Sequence, residues 1–299
     1  MATPAHAPCA SAEFLLIDVG NSAVKMALAT RQQQVALTGL ATAGLTSDAI
    51  RDCLRRLGWQ WRHALLCSVV PAVNRLFAEA LAEPPAVLDA SFDLGLEIDY
   101  PDPSSIGADR LANAAALVAT GPGPGIVVDY GTAVTFDIVD HRPAYIGGVI
   151  APGIALTTDY LAQRTALLPR IELQPGQMPP PWVGRTTRQA MLAGAFHGYA
   201  GMVNHLLRGL IADLQQRQQA ATCPPPAPGT GTLATAIEGH PAGSPPVAET
   251  HKTGVRVLAT GGDANLICAQ SDFIQSVVPD LTINGLRIIA CRRWPQPAA

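Results

Sequence analysis

The chain is 299 residues long, 48% hydrophobic and 14% charged, which supplies apolar material for two cores of ordinary size and excludes disorder of the whole chain. With 20 basic against 23 acidic side chains and a net charge of −3, no positive field exists to collect nucleic-acid phosphates or anionic lipid. Six scattered cysteines (Cys9, Cys53, Cys67, Cys223, Cys268, Cys291) form no CxxC pair and no zinc spacing, and read as reduced thiols of a cytoplasmic protein. The first residues, MATPAHAPCASAEF, lack the basic and apolar regions of a secretory signal, so residues 1–12 are expected to be a disordered tail. The longest uncharged apolar-rich stretch, 145–156, is too short for a bilayer and is interrupted by Gly147, Gly148, Pro152 and Gly153, so no membrane span is expected.

In chain order, an apolar run at 13–17 ends in Asp18-Val19-Gly20-Asn21-Ser22 and resumes over 24–29, the pattern of strand, tight turn and strand. Helical spacing follows at 48–57 and 72–81, with a strand at 64–69 between them. Ser104 and Ser105 can cap an Ala- and Leu-rich helix over 106–119. The apolar run 125–128 then enters Asp129-Tyr130-Gly131-Thr132-Ala133 and continues through 134–139, with a third strand at 144–150. The acid–glycine hairpin thus occurs twice, a domain length apart. The simplest architecture is two related α/β halves, 13–120 and 121–299, facing one another across a cleft. A long helix is expected over 189–218, where Gly194, Gly198 and Gly201 point to close packing, and buried strands over 255–260 and 286–290. The stretch 223–249 holds seven prolines, four glycines and two charged residues, a composition that predicts a flexible surface insertion. Its Gly229-Thr230-Gly231-Thr232-Leu233-Ala234 run matches GxGxxA only superficially, because no strand precedes it.

The first hairpin suits a nucleotide phosphate. Gly20 lets the turn approach a ligand, successive backbone N–H groups can cradle anionic oxygens, Lys25 adds a compact positive charge, and Asp18 can hold hydrated magnesium. One such motif alone equally fits a plain hairpin with aspartate as turn former. The second, with Asp129, Gly131 and Thr132, shifts the balance, because two such hairpins can clamp opposite sides of a triphosphate as in the acetate and sugar kinase, heat-shock protein 70 and actin superfamily. Thr260-Gly261-Gly262-Asp263 follows an apolar strand and can open around an adenosine. No GxxxxGK[ST] occurs, so a P-loop kinase is excluded. His197 and His205 have no nucleophile partner and read as packed or solvent-facing. Taken alone, Asp109-Arg110 fits macrodipole compensation at a helix start, and Tyr100 fits a core aromatic.

Taken together, the motifs closely resemble the type III pantothenate kinases, from about residue 14 to 291. LLIDVGNSAVKMAL resembles that family's first phosphate motif, VVDYGTAVTFD its second, LATGGDA its adenosine motif and PDPSSIGADRLANAAAL its diagnostic pantothenate segment; YIGGVIAPGIAL and VGRTTRQAMLAG follow in the expected order. The resemblance implies two actin-like, ribonuclease H-like halves around a central ATP cleft. It implies that Asp109 is the general base and that Tyr100, Gly107, Ala108, Asp109, Arg110 and Thr187 bind pantothenate, Thr187 reaching it across a homodimer interface. ATP would meet Asp18, Val19, Gly20, Asn21, Ser22, Ala23, Val24, Lys25, Thr132, Gly261 and Gly262. Asp129 would bind a monovalent cation, potassium or ammonium, and Asp18 would serve Mg²⁺. The expected product is 4′-phosphopantothenate, at the entry to coenzyme A synthesis. The other readings are a related small-metabolite kinase and a transcriptional accessory factor. The chain departs from the family pattern at Ser22, where threonine is usual, at Thr186, where asparagine is common, and in the 223–249 insertion.

Overall fold

The computed structural model describes residues 10–174, 177–222 and 254–296; the 223–249 stretch, Cys9 and Cys223 lie outside them. The chain begins with β1 (Phe14–Val19), β2 (Ala23–Ala29), β3 (Gln34–Ala41), α1 (Ser47–Leu57), β4 (His63–Ser68), α2 (Pro71–Ala80) and β5 (Ala86–Val87). These strands form a sheet in the order β3-β2-β1-β4-β5, antiparallel at β3-β2-β1 and parallel at β1-β4-β5. Next come β6 (Glu97–Ile98), α3 (Ala108–Ala119), β7 (Gly125–Tyr130), β8 (Ala133–Val139), β9 (Ala144–Pro152), α4 (Ile154–Arg164), α5 (Thr187–Ala193) and α6 (Tyr199–Thr222). The chain closes with β10 (Arg256–Thr260), α7 (Ala264–Ile267), β11 (Ser276–Val277) and α8 (Leu281–Arg293). The second sheet runs β11-β10-β7-β8-β9-β6. Apart from the added β6, it repeats the order and the parallel and antiparallel pairings of the first sheet, so the duplication read from the hairpins extends to the whole topology.

Strand alternation explains the layers. On β1, Leu15, Ile17 and Val19 face α1 and α2, joining Ile50, Leu54, Val73 and Phe77, whereas Phe14 and Leu16 face inward to α3 and α8. On β7, Val127 shares that inner core, while Ile126, Val128 and Tyr130 pack outward with Phe196, Val203 and Leu207. Both central strands are therefore buried on two faces and read as near-continuous apolar runs. Local chemistry sets the helix ends. The Thr46 hydroxyl accepts from Ala49 N at the start of α1, and Gly58, in the left-handed region at φ 62°, donates to Arg55 O and Leu54 O at its end.

Several expectations need correction. Residues 286–290 are not a strand but the middle of α8; that helix packs against α3, β1 and β4, so several of its faces are apolar and the helical period is masked. The expected long helix is present and continuous from α5 through a π-helical turn over Gly194–Gly198 into α6. A Cβ at Gly194, Gly198 or Gly201 would meet nothing within 4 Å, so these glycines do not pack closely within one chain. Ala10 and Ala12 are tied to Gln60 by backbone hydrogen bonds of 3.0 Å, so pairing reaches into the segment expected as a tail. Two elements also cross the 120/121 division: β6 extends the second sheet, and α8 packs against α3 and β1.

The α3–α8 crossing is unusually close, because a Cβ at Gly285 would lie 1.9 Å from Ala112 O. Gly285→Ala is expected to cost at least ~1–3 kcal/mol, since backbone rather than a side-chain tip must yield. Gly209→Ala in α6, where an added Cβ meets nothing within 4 Å, should instead stabilise by about 0.5–1 kcal/mol. Urea unfolding of both variants checks the contrast.

Candidate active site

The two hairpins meet tip to tip. Gly20 N–H donates to Ala23 O at 3.0 Å, Gly131 N–H to Ala133 O at 3.1 Å, and between the turns Ser22 Oγ lies 3.0 Å from Thr132 Oγ1. Ser22 thus keeps the hydroxyl that the first motif requires. In the first hairpin Asp18 pairs directly across from Lys25, so both side chains project from the same face. In the second, Thr260 of β10 stands beside Asp129 of β7, and the chain turns away through Gly261 at φ +95°. A Cβ there would lie 2.4 Å from Tyr130 O and 2.6 Å from Asp129 Oδ1, so only glycine brings the adenosine motif this close to the second hairpin.

Asp109 enters from the first turn of α3. Its Oδ1 accepts from Arg110 N–H at 2.8 Å, and a Cβ at Gly107 would lie 2.6 Å from that same oxygen. The glycine of the GADR run therefore makes room for the carboxylate. Three carboxylates then share one field. Burial pushes Asp18 up to about 7, with the charges of Asp109 and Asp129 adding to the shift and Lys25 opposing it. Burial also raises Asp109, against the pull of the Arg110 N–H and guanidinium, and raises Asp129, which Asp109 pushes further. Such crowding of negative charge beside a single lysine suits a cation-assisted phosphate site.

On the acceptor side, Tyr100 and Tyr145 face one another with ring centroids 6.1 Å apart, and the Arg110 guanidinium lies 5.7 Å from the centre of the Tyr145 ring. A Cβ at Gly148 would lie 2.3 Å from Arg110 Nη2, and one at Gly147 would touch the Tyr100 ring at 3.4 Å. The YIGG run thus lets β9 approach these side chains. Arg110 Nε donates to Asp137 Oδ1 at 2.7 Å, while its Nη2 is buried without a protein partner, which fits a donor kept for a ligand oxygen.

Thr187, expected at the substrate, is the first residue of α5. It is exposed at the start of α5, and among the described residues no hydrogen bond joins it to Tyr100, Asp109 or Arg110. Its neighbour Thr186 acts as helix cap, accepting from Gln189 N at 3.2 Å. His197 bonds Pro180 O at 2.9 Å and stacks on Trp182, a packing role as expected, and His205 is exposed. Sequence reasoning missed Asn113, Asp137, Tyr145, Asp280 and Thr282. Asp137 closes the second motif string, a usable signal; Asp280, whose carboxylate lies 3.5 Å from Lys25 Nζ, has none in the sequence. A groove of about 740 Å³ lined by Trp59, Trp61, His63 and Trp294 contains none of the motif residues.

A folded-state pKa above the ordinary 3.8 means that folding disfavours ionised Asp18. The cost is absent below about pH 4 and complete above about pH 7. Asp18→Asn should therefore raise the melting temperature of the ligand-free protein at about pH 8, with the gain fading as pH falls toward 4, while turnover collapses. Thermal scans across that range decide it; a variant less stable than wild type at the alkaline end would refute the electrostatic account.

Similarity to known proteins agrees with this geometry. The family profile described as Type III pantothenate kinase matches residues 14–209. The chain is 37% identical over 278 residues to the Type III pantothenate kinase of Akkermansia muciniphila, covering 93% of this chain and 98% of that protein. It is 33% identical over 276 residues to that of Methylacidiphilum infernorum, covering 92% and 87% respectively. Among solved structures, a Campylobacter jejuni chain described as a conserved Baf family transcriptional activator aligns with TM-score 0.53 at 17% identity, covering 93% of this chain and 98% of that one. A Sinorhizobium meliloti chain described as a 2-dehydro-3-deoxygalactonokinase aligns with TM-score 0.51 at 14% identity, covering 96% and 98%. These two likenesses establish the fold, two actin-like halves around a cleft, and the sequence matches go further: the chain belongs to the type III pantothenate kinase family.

Proposed function

We propose that the cleft holds ATP across the two hairpins and that Asp109 takes the proton from the primary hydroxyl of pantothenate as the γ-phosphoryl group is transferred. The protein is an ATP-dependent kinase, a transferase with an alcohol acceptor. The observation that carries the residue assignment is that Asn113, one turn after Asp109 on the same side of α3, donates to Asp129 at 3.2 Å, which sets that side of the helix at the second hairpin, whose tip meets the first at Ser22 and Thr132. Phosphoryl transfer needs mainly alignment and charge stabilisation. The backbone of residues 19–24 and the Thr132 hydroxyl cradle the phosphates, Lys25 offsets their charge, and Gly261 and Gly262 border the adenosine. Tyr100, Gly107, Ala108 and Arg110 hold the acceptor. A raised pKa makes Asp109 a stronger base, and the Arg110 N–H keeps its carboxylate aimed.

The donor set fits the expected ions. Magnesium takes one or two carboxylates and completes its shell with phosphates and water, and each hairpin offers one buried carboxylate, Asp18 and Asp129. Asp18 would hold it and Asp129 a potassium or ammonium ion. Bound there, the ions neutralise charge on the nucleotide phosphates. A purely regulatory role is disfavoured because Asp18, Lys25, Asp109, Arg110 and Asp129 are all present. Among the described residues no helix is long and apolar enough to cross a membrane, and we place the enzyme in the cytoplasm.

Asp109→Asn keeps size and hydrogen bonding but cannot accept the proton, so turnover should fall by roughly 10²–10⁴. Binding of an ATP analogue, measured by calorimetry, should change little; lost nucleotide binding would move Asp109 to the phosphate site.

The exposed position of Thr187 favours a homodimer in which it completes the partner's pocket. The same region leaves Trp182 79% and Val183 77% exposed, in a shallow groove shared with Gly194 and Gly198, exposed apolar side chains of the kind copies of a chain bury. Thr187→Ala and Asp109→Asn, each weakly active alone, should complement when unfolded together and co-refolded. Random pairing leaves one intact pocket in each mixed dimer, about a quarter of the wild-type sites. Recovery no greater than the average of the two variants would sink the shared pocket.

A further inference from the structure

Behind the reacting face lie three polar side chains that the phosphate and acceptor motifs do not use: Asn113, Asp137 and Thr282, only 1%, 0% and 9% exposed. Asn113 stands one helical turn after Asp109 on α3 and so on the same side of the helix. Its amide nitrogen forks, donating to Asp129 Oδ2 at 3.2 Å and to Asp137 Oδ2 at 3.4 Å. Asp137 spends its other oxygen on Arg110 Nε at 2.7 Å. On the far side of the amide, Thr282 Oγ1 of α8 donates to Asn113 Oδ1 at 2.9 Å.

Chemistry decides which way round this amide lies. Ionised carboxylates can only accept from it, so with Asp129 and Asp137 ionised the nitrogen faces them and the oxygen faces Thr282. The opposite orientation would set an oxygen against two anions and leave buried acceptors unpaired. Burying so many polar atoms is costly unless every partner is met, and a satisfied network of this kind holds its members to one geometry. One end of the network is Asp129 at the nucleotide hairpin, and the other is Arg110 in the acceptor pocket.

We infer that Asn113, oriented by Thr282, is a positioning residue for phosphoryl transfer: its amide sets Asp129 and, through Asp137, the Arg110 guanidinium at one fixed separation. The inference rests on the roles proposed above for Arg110 and Asp129. Thr282 reaches Asn113 only because Gly285, one turn along α8, lets the two helices close on one another. The C-terminal helix thereby takes part in aligning the two reactants.

The test pairs Thr282→Val, which keeps the shape and removes the donor, with Thr282→Ser, which restores the hydroxyl. Turnover with pantothenate is read beside KM for ATP, melting temperature and exchange of the Asn113 side-chain NH₂, followed by nitrogen-15 NMR and assigned by its loss in Asn113→Asp. The valine variant is expected to lose about tenfold to a hundredfold in kcat, with KM for ATP within threefold and the protein folded at the assay temperature, and its amide exchange should quicken at least tenfold. The serine variant should recover kcat to within a few-fold and keep the amide protected. Unchanged kcat in the valine variant, equal losses in both variants, or a loss that simply follows melting temperature would overturn the inference. A wild type inert toward pantothenate would refute the functional reading instead; amide protection lost in valine and kept in serine would then still support the oriented fork, and equal protection in both would overturn it.

Discussion

Everything in the cleft depends on how closely α8 lies on α3. A Cβ at Gly285 would overlap Ala112 O at 1.9 Å, and the facing surface of α3 is made of small residues, with Ala112, Ala115 and Ala116 in the shared core. The crossing sets Asn113, one turn after Asp109 on α3, within 3.2 Å of Asp129 in the second hairpin. It also brings the start of α8 within reach of the phosphate hairpin, where Pro279 O and Asp280 Oδ1 each lie 3.5 Å from Lys25 Nζ.

The cleft trades stability for chemistry. Asp18, Asp109 and Asp129 are withdrawn from water and repel one another, with Lys25 as the main compensation at Asp18. A design that maximised the stability of the ligand-free chain would not gather these charges, and their crowding is of the kind found where a protein leaves charge for a bound ion to balance. Arg110 follows the same logic: Asp137 pairs with one edge of its guanidinium, and buried Nη2 is left for the ligand. Removing Asp137 would strand a buried charge, which explains why so polar a pair is kept in an otherwise apolar layer.

The two halves share one plan and divide the work differently. Both sheets have the same order about β1 and β7, and both hairpins end in an acid, a glycine and a hydroxyl. In the first half the outer face of the sheet is closed by α1 and α2. In the second, α5 and α6 cover the sheet, and Gly194, Gly198 and Gly201 stand exposed where the two helices join. The duplicated plan brings two like hairpins tip to tip, and the halves differ in what covers each sheet.

The hairpins, their repetition and the helix after Gly107 were legible in the sequence, because those signals are local. Asp18-Val19-Gly20 and Asp129-Tyr130-Gly131 carry their turn chemistry within a few residues, and the Ala-rich run after Gly107 sets a helix wherever it packs. The sequence could not tell that 286–290 is helical, because α8 is apolar on several sides and a buried helix then has the same pattern as a buried strand. Nor could it show that Gly194, Gly198 and Gly201 face open space, since a glycine marks the absence of a side chain and not what occupies the gap. That Asn113, Asp137 and Thr282 form one network and that Asp280 lies beside Lys25 emerged from the packed fold alone. Each of these relations joins residues from separate elements, and their spacing in the sequence carries no trace of it; distance in space is set by which faces the layers bury.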